Sequence, residues 1–233
     1  MIDKRPSRVA GMFDAIAARY DLLNHLLSAG LDRGWRRRAI RSLGLRGGET
    51  VLDVCTGTAD LAIEAAARGA GRVVGVDFAA EMLRLGAAKL GGAGRVRLVR
   101  GDASQLPVAS GAADAATAAF GIRNVEQPER ALAEMFRALR PGGRLAILEF
   151  SIPASPLVRA VYLPYFRHVL PRVGRLVSRH DSAYTYLPAS VGAFIPPSEM
   201  AGSLERCGFE RVSASGLALG VVTLYTARRP AAR

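Results

Sequence analysis

Three polar groupings, each closing an apolar run, carry the side chains of this 233-residue chain that could bind a nucleotide. The first reads Asp53-Val54-Cys55-Thr56-Gly57-Thr58-Ala59-Asp60 and passes into a helical pattern. In an open α/β sheet such a strand-to-helix turn lies where ligands bind, and Gly57 lets backbone come close to a nucleotide. Any tight turn of this kind uses a glycine too, so the loop alone decides little. The second is Asp77, about twenty residues after Gly57, where a carboxylate can accept from both hydroxyls of a ribose. It can instead cap the helix that carries Glu81. The third is Asp102-Ala103, which offers a carboxylate and a backbone amide to the edge of an adenine. The loop lacks the repeated glycines that seat a pyrophosphate and the Lys-Ser/Thr pair of a P-loop. A ligand without phosphates fits better, and S-adenosyl-L-methionine is such a ligand.

These groupings need a scaffold of alternating strands and helices, and the pattern supplies one. Short aliphatic runs at Thr50–Val54, Arg72–Val76, Arg95–Arg100, Ala113–Ala119 and Arg144–Phe150 alternate with helical stretches near 59–68, 79–90 and 128–139. A helix near 197–207 and strands at Phe209–Ala214 and Val221–Arg228 follow. The expected fold is α/β: a seven-stranded, mostly parallel sheet with helices on both faces. Ahead of it, Met12, Phe13, Ile16, Tyr20, Leu23 and Leu27 share one stripe of a helix over Val9–Leu27, and Asp32–Leu43 reads as a second helix. One domain over 1–233 is expected, with a helical cap at 1–47, a cofactor-binding core at 48–150, an insertion at 151–195 and a closing helix and strands at 196–233. The insertion holds Pro153, Pro156, Pro164, Pro171 and Pro188 among aromatics and arginines, too long for an ordinary connection.

Composition narrows the class. With Cys55 and Cys207 the only cysteines, neither a disulfide framework nor a four-cysteine zinc site can be built. The histidines at 25, 168 and 180 are scattered, so no metal is expected. No apolar leader follows Met1 and no run is long and apolar enough to span a membrane, which points to a cytoplasmic protein. The net charge is +12, and the basic residues are 30 Arg and two Lys. Coding bias alone produces that imbalance, so the charge argues weakly for nucleic acid. Its excess lies in residues 1–50 and 151–179, and the latter stretch has five arginines and no acid. Such segments could meet RNA, an anionic membrane or an acidic substrate.

Two further stretches identify relatives. Leu139-Arg140-Pro141-Gly142-Gly143-Arg144-Leu145 resembles the turn before the fifth strand of class I methyltransferases. Ala119-Phe120-Gly121-Ile122-Arg123-Asn124-Val125 is similar to the quinone C-methyltransferase family, which methylates demethylmenaquinol and the equivalent benzoquinol of ubiquinone synthesis. The resemblance extends through Met12-Phe13-Asp14, Arg19 to Asn24, Trp35-Arg36, Leu148-Glu149-Phe150-Ser151, His168 to Gly174 and Tyr184 to Ser190, over nearly the whole chain. It implies the class I, Rossmann-like fold and S-adenosyl-L-methionine as cofactor, with Thr58 and Gly57 at its methionine end, Asp77 on the ribose, and Asp102 and Ala103 at the adenine. Two positions depart from the family: Ala119 stands where some relatives have Ser, and Asp102 where Asn is frequent. The first loop is closer to menaquinone-pathway relatives, so demethylmenaquinol is the expected acceptor and the benzoquinol the alternative.

Transfer to an aromatic carbon requires a reduced ring whose neighbouring hydroxyl is losing its proton, and a cation or base beside that oxygen. Arg123 and Asn124, just past the fourth strand, are expected to stabilise the phenolate and orient the ring; a surface ion pair is the other reading of Arg123. Tyr20 and His168 are candidates for proton transfer or ring contact, with packing as the alternative for each. Tyr184 and Tyr186 are expected in lid packing, and Cys55 as a small buried residue. Asp53 either holds the first loop or approaches the cofactor's amino group. The polyprenyl tail of such a substrate gives the arginines at 159, 167, 172, 175 and 179 a meaning, as a segment lying peripherally on the anionic inner face of the cell membrane. Rival functions are RNA methylation, for which no basic run interleaved with aromatics appears, and a non-catalytic cofactor-binding partner. No nucleic acid is expected, and the oligomeric state is open, a homodimer included.

Overall fold

The computed structural model of the chain describes residues 4–91, 94–169, 172, 186 and 189–232. Seven strands, β1 (Thr50–Val54), β2 (Arg72–Asp77), β3 (Val96–Arg100), β4 (Ala113–Ala119), β5 (Leu139–Phe150), β6 (Glu210–Leu217) and β7 (Val222–Arg228), form one sheet ordered β3-β2-β1-β4-β5-β7-β6. The first five run parallel, and β7 lies antiparallel between β5 and β6. The expected seven-stranded, mostly parallel sheet is therefore present. Strands buried on both faces need unbroken apolar runs, which Val51-Leu52 and Leu145-Ala146-Ile147-Leu148 supply. β4 is made almost wholly of alanine, a weak strand former, and its place between β1 and β5 decides its conformation.

Helices cover both faces. On one, α5 (Pro128–Ala138) and α7 (Pro197–Arg206) bring Leu132, Met135, Met200 and Leu204 against Leu52, Ile147 and Tyr225. On the other, α2 (Leu31–Leu43) and α3 (Asp60–Ala67) bring Ile40, Leu43, Leu61 and Ala62 against Val51, Val73 and Leu148. α4 (Ala80–Leu90) packs beside β3. α1 starts at Pro6, earlier than the apolar stripe suggests, because proline with its fixed φ is suited to the first helical position; the helix runs to Leu27. It crosses α4 and closes a cluster of Ile16, Leu23, Tyr162, Phe166 and Val191.

Two stretches depart from the expected elements. β5 begins at Leu139 rather than Arg144, because the pairing Ala113 with Leu139 resumes at Ala115 with Arg144 and the residues between loop out. Pro141 there has no N–H to give a ladder, and Gly142 takes φ 77°. The proline-rich insertion is helical where described: α6 spans Pro156–Pro164, and a π-helical segment over Tyr165–Val169 follows the proline that ends it. Among the described residues no helix is long and apolar enough to cross a membrane.

Candidate active site

The sheet order reverses between β1 and β4, and the first loop lies above that crevice. Cys55, Gly57 and Ala59 all adopt positive φ, at 55°, 55° and 68°. Holding Cys55 and Ala59 there costs backbone energy that the surroundings must offset. Asp53 does much of this: it is 1% exposed and accepts bonds from Thr56 Oγ1 at 2.6 Å and Thr117 Oγ1 at 2.7 Å, tying the loop to β4. Burial raises its pKa to about 6, against the opposing pull of the two hydroxyls. The loop also abuts Gly121, where a Cβ would sit 2.3 Å from that of Cys55. Burial pushes the Cys55 thiol well up, so it is a protonated packing group.

Gly57 donates its N–H to Asp77 Oδ2 at 2.8 Å, while Ala79, at the start of α4, donates to Asp77 Oδ1 at 2.9 Å. Asp77 thus ties the first loop to the start of α4, and each oxygen keeps a lone pair for a ligand hydroxyl. Burial raises its pKa, opposed by these amides. The Thr58 hydroxyl is buried and donates to Asp21 Oδ1 of α1 at 2.6 Å. One strand further, Asp102 is exposed and accepts from the Ser104 amide at 2.7 Å, and with buried Ala103 it lines a cavity shared with Phe78 and Asn124.

Beside the crevice is a cavity of about 110 Å³ with an aromatic wall. Trp35, Phe120, Phe150, Phe166 and Tyr162 follow one another with ring centroids 6.2, 4.5, 6.4 and 4.9 Å apart. Arg123 and Asn124 lie in a 3-10 turn (Ile122–Asn124) directly after β4, both 5% exposed. Arg123 lines the cavity, 5.4 Å over the Phe150 ring. Its Nη1 donates to Glu149 Oε1 at 2.7 Å and to the Phe120 carbonyl, and Glu149 Oε2 accepts the Arg123 amide at 3.1 Å. The pair is therefore buried, not a surface ion pair. Arg123 Nε and Asn124 Oδ1 have no hydrogen-bond partner among the described residues.

Tyr20 lines both this cavity and the first-loop crevice. Burial raises its phenol pKa, opposed by Asn24 and the charges of Arg123 and Arg36, so it stands as a proton donor at neutral pH. The structure brings Gly57, Thr58, Asp77, Tyr20 and Arg123 around adjoining spaces, with Asn124 in the turn that also borders the Asp102 cavity. His168 is set apart: it is exposed on the π-helical segment and lines none of these spaces. Tyr186 lines the aromatic cavity, whereas Tyr184 lies outside the described residues. Sequence reasoning assigned no role to Glu149 or Arg36. Arg36 is buried, pairs with Asp32, lies 3.6 Å from Asp60 and borders both the crevice and the aromatic cavity. An acid in an otherwise apolar strand, as in Leu148-Glu149-Phe150, is the signal that was available: it needs a buried partner. Among the described residues no group of His, Cys, Asp or Glu could hold a metal ion.

A profile of the ubiE/COQ5 methyltransferase family matches residues 1–229. The chain is 50% identical over 230 residues to a protein of Syntrophotalea carbinolica named ubiquinone/menaquinone biosynthesis C-methyltransferase UbiE, covering 97% of each. It is 48% identical over 219 residues to a protein of Deinococcus radiodurans named demethylmenaquinone methyltransferase, covering 93% of this chain and 90% of that one. Among solved structures, the [4+2]-cyclase SpnF superposes with a TM-score of 0.72 at 19% identity, over 96% of both chains. A SAM dependent methyltransferase from Aquifex aeolicus gives 0.59 at 20% identity, over 83% of this chain and 88% of that one. These two likenesses speak to the fold alone.

Proposed function

The chain belongs to the ubiE/COQ5 methyltransferase family, and from that membership and the geometry we infer that it transfers a methyl group to a ring carbon of a reduced polyprenyl quinone precursor. It is a C-methyltransferase of quinone biosynthesis; the acceptor we propose within that class is demethylmenaquinol. The observation that carries the reading is the buried Arg123, with an unsatisfied Nε, on the aromatic cavity that Tyr20 joins to the first-loop crevice.

The residues of the crevice fit S-adenosyl-L-methionine. Asp77 keeps lone pairs for ribose hydroxyls, Asp102 and Ala103 border a space for the adenine edge, and Asp53, Thr58, Asp60 and Arg36 offer both signs of charge and a hydroxyl to an amino-acid end. When bound, this group supplies an electrophilic methyl carbon on a sulfonium. The chain itself orients the acceptor: the aromatic wall excludes water and stacks a flat ring, and collinear positioning is a large part of the rate. Arg123 stabilises negative charge on the oxygen next to the accepting carbon, in surroundings of low polarity where that charge interacts strongly. Asn124 orients the ring, and Tyr20 donates a hydrogen bond from its protonated phenol.

The test is transfer of labelled methyl into organic-extractable product, with reduced demethylmenaquinone, the reduced benzoquinone precursor and bulk RNA in parallel. Label in the naphthoquinol tube is expected. Preference for the benzoquinol moves the chain to the ubiquinone branch, and label in RNA alone overturns the quinol reading.

We also propose that the protein is cytoplasmic and meets the inner face of the cell membrane peripherally. On α6, Leu157 and Val161 are 79% and 72% exposed, within the stretch that has arginines and no acid. Arg159 and Arg172 are exposed, each tethered to backbone: Arg159 to the Pro153 and Ala154 carbonyls, and Arg172 to that of His168. Arg175 and Arg179 lie outside the described residues. Sedimentation with anionic vesicles at low salt tests this, and absence of binding removes it.

A further inference from the structure

Four buried side-chain polar atoms lack a hydrogen-bond partner among the described residues: Arg123 Nε, Asn124 Oδ1, Tyr162 OH and Tyr186 OH. Three of the four belong to residues lining the aromatic cavity. Native proteins rarely leave such groups unsatisfied, and a cavity that concentrates them is built for a ligand that completes them. Tyr162 is the sharpest case. It is 8% exposed, on the inner side of α6, with its ring stacked on Phe166 at 4.9 Å. A phenylalanine there would pack equally well without burying a hydroxyl, so packing alone does not account for the oxygen.

Position adds to this. Arg123 reaches the cavity from the end of β4 and lies over Phe150, whereas Tyr162 comes from α6 beyond Phe166. Polar groups therefore stand at two places along one aromatic wall. A ring with a single hydroxyl satisfies one of them. A ring with two oxygens opposite each other satisfies both.

We propose that Tyr162, with Tyr186 on the lining of the same cavity, holds the second oxygen of the acceptor ring, the one para to the oxygen served by Arg123, and so selects a 1,4-diol over a mono-hydroxyl ring. This rests on the quinol reading of the cavity. Tyr162 and Tyr186 then act as specificity-determining contacts, not in the transfer itself. Both phenols stay protonated, because burial raises their pKa more than the Arg123 charge lowers it, and so can donate.

The experiment compares labelled-methyl transfer to 2-prenyl-naphthalene-1,4-diol and to 3-prenyl-1-naphthol, which keeps the hydroxyl beside the accepting carbon and lacks the opposite one. The wild-type chain, Tyr162→Phe, Tyr186→Phe and the double variant are used under reducing conditions. Tyr162→Phe is expected to lower the diol-to-naphthol ratio of kcat/KM about tenfold, through the KM of the diol, as loss of one buried hydrogen bond does. The ratio cancels the intrinsic reactivity of the two rings. Its thermal midpoint without substrate should be no lower than that of the wild type, since an unsatisfied hydroxyl has been removed. An unchanged ratio in all three variants, or a wild-type chain that uses the naphthol as well as the diol, overturns the proposal while leaving the quinol reading in place. If the wild type binds S-adenosylhomocysteine yet labels neither ring nor the benzoquinol, the quinol reading falls and this proposal with it.

Discussion

Replacing Glu149 with Gln keeps the shape of the side chain and removes the charge that holds Arg123. The Glu149 carboxylate is fully buried and accepts from Arg123 Nη1 at 2.7 Å, the Arg123 amide at 3.1 Å and the Phe150 amide at 2.9 Å. A carboxamide has one acceptor oxygen and turns an NH2 toward at least one of those donors. Breaking a buried ion pair from one side costs about 3–5 kcal/mol, because the remaining charge stays buried. The Phe120 carbonyl and the face of Phe150 continue to compensate Arg123, which puts Glu149→Gln at the lower end, ~3 kcal/mol. In urea unfolding followed by far-ultraviolet circular dichroism, that is a fall of roughly 1–3 M in the midpoint. A cycle with Arg123→Leu and Glu149→Leu should give a coupling of about 2 kcal/mol or more, since the double variant leaves no orphaned charge. Turnover should fall in Glu149→Gln while affinity for S-adenosylhomocysteine is kept. A loss of stability under about 0.5 kcal/mol, with coupling equally small, refutes the assignment of a buried, mutually dependent pair.

Other expectations follow from the same geometry. Gly121→Ala drives a Cβ to 2.3 Å from that of Cys55, so it should lower stability by about 1–3 kcal/mol and weaken S-adenosylhomocysteine binding in calorimetry. Adding Cys55→Gly, which removes that Cβ and relieves φ 55°, should restore both; no rescue means the contact is misplaced. The folded pKa of Asp53, about 6, lies above its unfolded value near 3.9, so the folded state binds the proton more tightly. This term favours the fold at low pH and is lost as pH rises from about 4 through 6, by about 3 kcal/mol in all. Asp53→Asn should therefore gain stability relative to wild type between pH 4 and 7, and a difference independent of pH contradicts the shift. Asp77→Asn should weaken S-adenosylhomocysteine binding by about tenfold or more and also lower the thermal midpoint, because the carboxamide turns an NH2 toward the amide of Gly57 or Ala79; unaltered affinity removes Asp77 from the ribose.

Periodicity sufficed for the sheet because β1, β2 and β5 carry apolar runs bounded by turns, and the order of elements leaves few topologies for the alanine-rich β4 and the largely exposed β6. It did not anticipate α6, since Pro156 and Pro164 read as interruptions, although Pro156 stands at the first helical position, where proline is tolerated, and Pro164 falls only at the last residue, before the π-helical segment. Asp77 and Gly57 were legible from spacing along the chain, and the structure joins them by a hydrogen bond. Counting glycines gave no sign of the backbone of the first loop, because Cys55 and Ala59 adopt the glycine-like conformation without being glycine. Long-range pairs were out of reach altogether. Nothing local marks Glu149 as the partner of Arg123, 26 residues away, or Asp21 as that of Thr58, 37 residues away.

α1 touches both compartments from a single rigid body. Tyr20 walls the aromatic cavity and the crevice, its neighbour Asp21 takes the Thr58 hydroxyl, and Asp14 accepts the Glu81 amide at the start of α4. A ligand that displaces this helix from either side changes the surface offered to the other. The free energy by which one ligand biases α1 is then felt in the affinity of the second by the same amount, whichever arrives first. One helix thus borders the space for the donor and the space for the acceptor, so any shift of it would be read in both affinities.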